Sequence, residues 1–223
     1  MLLEFIELLL NTMEISKFQS GPIETNCYLL HVNKNDAVLI DAAPDSYSYL
    51  SVLKEKHNFN LIAVLLTHTH FDHSTDAAIL QSKMGAKIFV SPADEYRLKD
   101  PNKYTLFPLP APILPCTPDG FLKENVELVF GNESFRILDT PGHTEGGVAI
   151  VSDSTKTVFC GDTLFREGVG RTDLPGGDYS MLVHSVREKL YALPDDYHVL
   201  PGHGPSTYIG YEKENNWYIP KIS

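Results

Sequence analysis

THTHFDH, at residues 67–73, places three histidines and an aspartate directly after the apolar run LIAVLL at residues 61–66. The apolar run is typical of a buried strand. Neutral imidazole and carboxylate are ligands that suit zinc, iron and manganese, and a short loop leaving a strand end can direct alternate side chains to one point. The stretch therefore predicts a metal site, whereas a polar loop with chance histidines would not be repeated elsewhere in the chain.

Three further stretches place a potential metal ligand beside a glycine at the end of an apolar run. They are PGH at residues 141–143, CGD at 160–162 and PGH at 201–203. A turn at a strand end often needs a backbone conformation that only glycine adopts cheaply, which gives these glycines a physical reason. Together, the four stretches offer seven candidate ligands: His68, His70, Asp72, His73, His143, Asp162 and His203.

The number of candidate ligands is larger than one ion needs, so the sequence favours a site for two ions. A single catalytic zinc usually takes about three protein ligands and keeps one position open, so the candidates divide into two sets of three and one shared carboxylate. Asp162 is the natural bridge. The predicted cofactor is a pair of divalent metal ions, zinc first, with iron and manganese as alternatives because all three suit nitrogen and oxygen ligands.

Composition narrows the class of protein. With 223 residues, 43% hydrophobic and 21% charged, the chain is long enough to bury one sizeable core. The formal net charge of −11 argues against a nucleic-acid groove, which needs clustered lysine and arginine. Cys27, Cys116 and Cys160 are odd in number and scattered, so the sequence predicts no disulfide framework and a reducing, cytoplasmic setting.

Residues 1–12 differ from the rest of the chain and are interpreted as an N-terminal extension. The stretch is apolar but broken by Glu4 and Glu7, and it is too short to span a bilayer. It lacks the basic region and cleavage site of a secretory signal, so no membrane association is predicted. An upstream start codon, with Met13 as the physiological first residue, is preferred over a short appended element or a lipoprotein-like leader. Residues 13–223 are expected to form one domain.

Apolar runs of strand length alternate with turn signals through the rest of the chain. Helices are predicted over residues 46–56, 76–84 and 179–193, and the opening strands are expected to form an antiparallel meander. Two sheet-containing halves with helices outside indicate an α/β fold, a four-layer αβ/βα sandwich whose metal loops meet at one edge. The predicted strands are residues 14–18, 26–32, 36–41, 61–66, 87–90, 126–130, 134–138, 147–152, 157–160 and 197–200.

This pattern lapses between Ser91 and Asn125, where repeated prolines exclude regular helix or central strand over much of the segment. A loop of this length in a compact domain is usually functional or an interface. We interpret it as a wall or lid beside the metals that carries Tyr104, Phe107 and Phe121 as candidate acyl contacts. A surface excursion or a homodimer contact is the alternative.

Several stretches of the chain together resemble one known family. In addition to the ligand stretches, they are GP at residues 21–22, TNCY at 25–28, LID at 39–41, GDTLF at 161–165, GRTDLPGGD at 170–178 and PGHGP at 201–205. In number and order they resemble the metallo-β-lactamase-fold hydrolases, and within them the glyoxalase II (hydroxyacylglutathione hydrolase)-like group. The resemblance extends from Met13 to about Asn216.

The resemblance implies a division of the ligands between two metals. His68, His70 and His143 would hold the first metal, Asp72, His73 and His203 the second, and Asp162 would bridge them. Larger glyoxalase II enzymes bind glutathione through basic residues of a C-terminal helical domain, whereas only twenty residues follow His203 here. The chain is therefore expected to be a short form without that domain.

Two ions sharing Asp162 predict hydrolysis of an acyl bond. A bridging water loses a proton near neutral pH and the ions polarise the substrate carbonyl, so the hydroxide attacks and a thiolate departs. The candidate catalytic residues are Asp72 and Asp162, acting with the metal-bridging hydroxide. The expected partner is a small-molecule thioester of the S-acylglutathione type.

Two further charged residues are candidates for supporting roles. Arg171 is a candidate anchor for a substrate carboxylate, although a buried ion pair with Asp173 or Asp178 is the preferred interpretation. Asp41, at another strand end, is a candidate acceptor for the N–H of a ligand imidazole, with a simple turn cap as the alternative.

Rival functions use the same scaffold. A sulfur dioxygenase would hold one iron at positions equivalent to His68, His143 and Asp162 and turn over persulfide with oxygen. A lactonase shares the His-x-His-x-Asp-His pattern, but residues 161–178 fit the glyoxalase-like group better. A β-lactamase is disfavoured because Asp162 stands where many such enzymes have cysteine. A degenerate binding protein would lack ligands, and none is missing.

Overall fold

The first half of the chain forms a six-stranded mixed sheet in the computed structural model, which describes residues 13–219. Its strands are β1 (Glu14–Ser20), β2 (Thr25–His31), β3 (Asp36–Ile40), β4 (Asn60–Leu65), β5 (Lys87–Val90) and β6 (Gly120–Phe121). β1 to β3 pair antiparallel, which confirms the predicted meander, and β3 to β6 pair parallel. The prediction for residues 1–12 lies outside the described residues.

The second half forms another six-stranded sheet and a small hairpin. In chain order the strands are β7 (Glu127–Phe130), β8 (Glu133–Asp139), β9 (Val148–Ser152), β10 (Thr157–Gly161), β11 (Leu164–Phe165), β12 (Gly168–Val169), β13 (His198–Pro201) and β14 (Thr207–Tyr208). β11 and β12 pair only with each other, and β13 runs parallel to β10. The remaining pairs of this sheet are antiparallel.

Seven α-helices accompany the sheets in residues 13–219. They are α1 (Ser46–His57), α2 (Phe71–Ser74), α3 (Ala77–Met84), α4 (Glu95–Lys99), α5 (Pro101–Tyr104), α6 (Tyr179–His184) and α7 (Ile209–Asn215). The helix predicted over residues 179–193 is wrong in part, because α6 passes into a π-helical turn at Ser185–Leu190 and ends there. No helix in the described part of the chain is both long and apolar enough to cross a membrane.

Three apolar layers hold the sheets and helices together. Successive side chains of a strand point to opposite faces, so in β2 Leu29 packs with Leu50 of α1 while Leu30 packs between the two sheets. On the outer face of the second sheet, Val151 belongs to the same cluster as Leu190 of the π-helical turn. The order helix, sheet, sheet, helix confirms the predicted four-layer αβ/βα sandwich.

Candidate metal centre

All seven predicted ligands lie at one edge of the sandwich, on loops that follow strand ends. His68 and His70 follow β4, and the short helix α2 continues that loop; the other loops leave β8, β10 and β13. The ligand atoms form two groups, each within 4.8 Å of one another. We call them the first cluster, which is His68, His70 and His143, and the second cluster, which is Asp72, His73, Asp162 and His203.

Asp162 lies between the two clusters. Its Oδ2 atom is 3.6 Å from His143 Nε2 of the first cluster and 3.6 Å from His203 Nε2 of the second. Its Oδ1 atom lies 3.4 Å from His73 Nε2. One carboxylate therefore faces ligand atoms of both clusters, and this position supports its predicted role as a bridge.

Hydrogen bonds behind the imidazoles direct their Nε2 atoms into the centre. His73 Nδ1 lies 2.8 Å from Asp41 Oδ2, and His143 Nδ1 lies 2.7 Å from the Arg171 carbonyl oxygen. Both partners only accept, so Nδ1 carries a proton and Nε2 is the atom that faces the centre. His68 Nδ1 lies 3.2 Å from the Thr67 hydroxyl, which itself donates to Asp41, so the same assignment holds.

Two of the inward-facing ligand atoms have no hydrogen-bond partner within residues 13–219. His68 Nε2 and Asp162 Oδ1 are buried and have no hydrogen-bond partner among the described residues. His70 Nδ1 lies 2.8 Å from His143 Nε2, close enough for a hydrogen bond or for one shared ion. Buried polar atoms rarely stay unpaired, so the cluster geometry fits cations. Imidazole and carboxylate together suit zinc, iron or manganese and do not select among them.

The two clusters differ in electrostatics. Burial, with His143 nearby, lowers the pKa of His70 to about 3, and burial lowers the pKa of His68 well below its usual value. Burial also disfavours protonation of His73, but the surrounding carboxylates outweigh it and raise the pKa of His73 well above its usual value. His68 and His70 of the first cluster therefore stay neutral, whereas the second cluster contains charged partners.

Asp41 acts behind the ligands as predicted from the sequence. In addition to its contact with His73, its Oδ1 accepts from the Thr67 backbone N–H at 2.8 Å. The side chain is 1% exposed, and its backbone has φ 63°, a left-handed conformation that short polar residues tolerate. Asp41 thus accepts from the imidazole of a candidate ligand, as predicted.

A second buried aspartate, Asp94, was missed by the sequence analysis. Its carboxylate accepts from the Thr69 backbone N–H at 3.0 Å, from the Thr144 hydroxyl at 2.9 Å and from the Gly146 N–H at 2.9 Å. Arg97 donates to it at 2.8 Å. Thr69 and Thr144 adjoin ligands of the first cluster, so Asp94 fastens both loops of that cluster. It lies in the proline-rich segment, where no periodic pattern marked it.

Glycines beside the ligands have two different causes. Gly161 has φ 49°, which agrees with the conformational reason predicted from the sequence. Gly202 has no such conformation; a Cβ there would lie 2.2 Å from Asp162 Oδ1 and 2.6 Å from His73 Cε1. Space for the ligands, and not backbone freedom, therefore requires Gly202.

A pocket of about 410 Å³ opens onto both clusters. Tyr104 and Phe107 line it as predicted, whereas Phe121 does not, because its strand β6 pairs at the edge of the first sheet. Arg171 also lines the pocket, with a two-point contact to Asp173 at 2.6 and 2.7 Å. That pair is exposed and not buried as predicted, and Asp178 instead accepts from the Met181 N–H at the start of α6.

Known proteins share this architecture and its sequence. The model of the metallo-beta-lactamase superfamily matches residues 20–203. Hydroxyacylglutathione hydrolase GloC of Haemophilus influenzae is 35% identical over 210 residues, which cover 93% of this chain and 98% of that protein. Among solved structures, the BLEG-1 B3 metallo-beta-lactamase has a TM-score of 0.84 and 32% identity, covering 92% of this chain and 99% of that one. TTHA1623, in a di-iron-bound form, has a TM-score of 0.76 and 34% identity, covering 92% of this chain and 100% of that one. The chain belongs to the metallo-β-lactamase superfamily.

Proposed function

We propose that the protein is a metal-dependent hydrolase of the glyoxalase II type, which cleaves thioesters of the S-acylglutathione class. Superfamily membership supports metal-dependent hydrolysis as the general chemistry. The relative named hydroxyacylglutathione hydrolase supports a thioester substrate. The observation that carries the proposal is the pair of ligand clusters facing each other across Asp162.

The donor sets of both clusters fit divalent ions. His68, His70 and His143 would hold the first ion, and Asp72, His73 and His203 the second, with Asp162 shared. Bound there, the ions would supply hydroxide near neutral pH and polarise the substrate carbonyl. Zinc is the first candidate, with iron and manganese as alternatives.

The chain itself contributes orientation and a fixed charge. Asp41 and the Arg171 carbonyl accept from Nδ1 of His73 and of His143, which fixes both rings with Nε2 facing the centre. Asp72 accepts from the Thr25 hydroxyl at 3.3 Å, and although burial disfavours its charge, His73 and neighbouring groups hold its pKa well below the usual range. Asp72 thus stays a carboxylate and serves as a ligand throughout the working pH range.

No cysteine is available as an alternative nucleophile. Cys27, Cys116 and Cys160 are free and buried. Burial raises the pKa of Cys27 and Cys160 to about 12 and that of Cys116 to about 11, so their reactive thiolate forms are scarce at neutral pH. A thiolate leaving group needs no strong acid, so the proposed reaction requires no further protein nucleophile or general acid.

The proposal is tested by metal content and by hydrolysis of S-lactoylglutathione on the same preparation. We expect two metals per chain and hydrolysis in the unaltered protein, and loss of hydrolysis in Asp162→Ala. Asp196→Ala is the matched control, because Asp196 is exposed and paired only with exposed Lys156. It should retain both properties. Full metal loading without hydrolysis would refute the thioesterase.

A mononuclear-iron persulfide dioxygenase is the second candidate. ETHE1 from Myxococcus xanthus, a solved structure 27% identical to this chain, supports it, and the di-iron-bound structure of TTHA1623 supports iron as the metal but with two ions. One iron per chain, oxygen uptake on glutathione persulfide and no hydrolysis would establish this alternative. Lactones and a β-lactam belong in the same panel, since a lactonase uses the same ligand pattern and BLEG-1 is described as a β-lactamase.

A further inference from the structure

Several apolar side chains form a wall of the pocket above the ligand clusters. Large apolar side chains line it while remaining open to solvent: Ile23 is 49% exposed, Leu106 60%, Phe107 47% and Tyr104 36%. Ile23 comes from the turn between β1 and β2, and the others follow or end α5. Single exposed apolar residues are ordinary, but several around one opening mark a binding surface.

This wall reaches the ligands directly. The ring of Phe107 lies 5.8 Å from that of Phe71, which stands in the chain between the ligands His70 and Asp72. Leu174 and Pro175 line the same pocket. A group whose carbonyl carbon sits between the clusters would therefore extend along apolar side chains. A cavity of about 410 Å³ lies within the size range of small-ligand sites.

Most of the lysine and arginine side chains that line the pocket are paired with carboxylates of the protein. Arg97 donates to Asp94 and to Glu145, the latter at 2.6 Å. Arg171 is paired with Asp173. Only the Lys103 ammonium, 5.1 Å from the Tyr104 ring centroid, has no carboxylate partner among the described residues that line the pocket. The wall thus suits an uncharged group better than a charged one.

We propose that this wall binds the acyl chain of the substrate, so that the preferred thioesters carry apolar acyl groups several carbons longer than lactoyl. The inference rests on the proposed thioesterase function and specifies its substrate class. Burial of apolar surface supplies the selectivity, and each methylene group that is buried should strengthen binding about three- to fourfold.

Uncleavable thioethers test the wall independently of catalysis. Calorimetric titration of the metal-loaded protein with S-methyl-, S-butyl- and S-hexylglutathione should show affinity that rises with chain length. Phe107→Ser and Leu106→Ser should flatten this rise. Leu114→Ser is the matched control, because Leu114 is 63% exposed in the same segment but does not line the pocket. Its chain-length dependence should match that of the unaltered protein.

Hydrolysis of acetyl-, lactoyl-, butanoyl- and hexanoylglutathione separates this inference from the proposed function. We expect kcat/KM to increase with apolar chain length in parallel with thioether affinity. Affinity that does not change with chain length, or that changes equally in Phe107→Ser, would overturn the apolar acyl site. Chain-length-dependent binding without hydrolysis of any thioester would support the apolar site and refute the thioesterase.

Discussion

The two ligand clusters lie side by side but are held together in different ways. The second cluster contains its own ion pairs, since His203 Nε2 and His73 Nε2 lie 3.1 and 3.2 Å from Asp72 Oδ2. The first cluster consists of imidazoles alone, and burial favours the neutral form of His68 and His70. Within it, His70 Nδ1 lies 2.8 Å from His143 Nε2, but no ion pair joins the imidazoles. Contacts from outside the cluster therefore carry more of its support.

Two buried aspartates lie behind the ligands, and one of them serves both clusters. Asp41 contacts His73 directly and reaches His68 through Thr67. Asp94 contacts no ligand side chain and instead holds the loops that carry the first cluster. The difference predicts that Asp41 governs how tightly a ligand is oriented, whereas Asp94 governs where the loops lie.

Asp41→Asn is expected to have the largest effect. Asparagine tolerates the left-handed backbone of Asp41, but its amide cannot accept from Thr67 and His73 together as a carboxylate does. We expect metal affinity to fall about 10- to 100-fold, as is usual for partners of ligand imidazoles. Competition with a chromophoric chelator measures this affinity.

Asp45→Asn is the control for that measurement. Asp45 also has a left-handed backbone, φ 70°, but it is exposed and its side chain makes no cap hydrogen bond to α1. The same change of charge there should leave metal affinity unaltered. Equal losses in both variants would show that net charge, and not orientation of His73, determines the affinity.

Asp94→Asn should act on one cluster more than the other. Loss of the charge-assisted contact with Arg97 and of one loop acceptor should loosen the first cluster, with a fall in its metal affinity of about tenfold. The second cluster should keep its ion. We therefore expect metal content to approach one ion per chain during dialysis against a weak chelator.

Asp100→Asn is the matched control, because Asp100 is exposed in the same segment and does not cap the following helix through its side chain. Simultaneous loss of both ions from Asp94→Asn would contradict a role of Asp94 that is confined to the first cluster. Retention of both ions would show that Asp94 holds the loops without affecting the ligands.

The clusters should also respond oppositely to pH in the metal-free protein. Burial lowers the pKa of His70 from its usual 6.5 to about 3. Between these two pH values the unfolded chain binds a proton at His70 that the folded chain does not bind. Lowering the pH from 7.5 to 5 should therefore cost about 2 kcal/mol of unfolding free energy through His70. The raised pKa of His73 has the opposite effect. It adds to the unfolding free energy below pH 6.5, and this stabilisation is lost as pH rises through the folded-state pKa.

Urea unfolding of the metal-free protein at pH 7.5 and 5 measures this change in the unfolding free energy. His70→Asn should lose less stability on acidification than the unaltered chain. Identical losses in the two proteins would mean that His70 takes up a proton within the folded cluster, against the burial that surrounds it.

Much of the site was predictable because its signals are local. Each ligand lies within a few residues of a strand end, so strand patterns and ligand chemistry together were sufficient to select His143 and Asp162 although 19 residues separate them. Asp94 was not predictable in this way. The carboxylate oxygens of Asp94 accept hydrogen bonds from groups that are 25, 50 and 52 residues away in the sequence. Two of these donors are backbone N–H groups, which any residue type would supply.

Gly202 and Phe121 show two further limits of the sequence. The reason for glycine at position 202 is the proximity of Asp162 and His73, which only the packed loops reveal. Phe121 was grouped with Tyr104 and Phe107 because all are aromatic and share one irregular segment. Phe121 instead lies outside the pocket, because β6 pairs with β5. No local pattern in the sequence predicts so short a strand.

Arg171 should give the smallest effect on the metal centre and still decide between two interpretations. Its carbonyl oxygen accepts from His143, but its side chain is exposed and paired with exposed Asp173. Arg171→Ala keeps the carbonyl, so metal content should be unchanged, and loss of an exposed ion pair should shift the melting temperature little. Asp173→Ala leaves the guanidinium free. If the pair only fastens the loop, both variants should have the same KM for thioester; if the guanidinium binds a substrate carboxylate, KM should rise in Arg171→Ala and not in Asp173→Ala. The exposed two-point pair with Asp173 favours equal KM values.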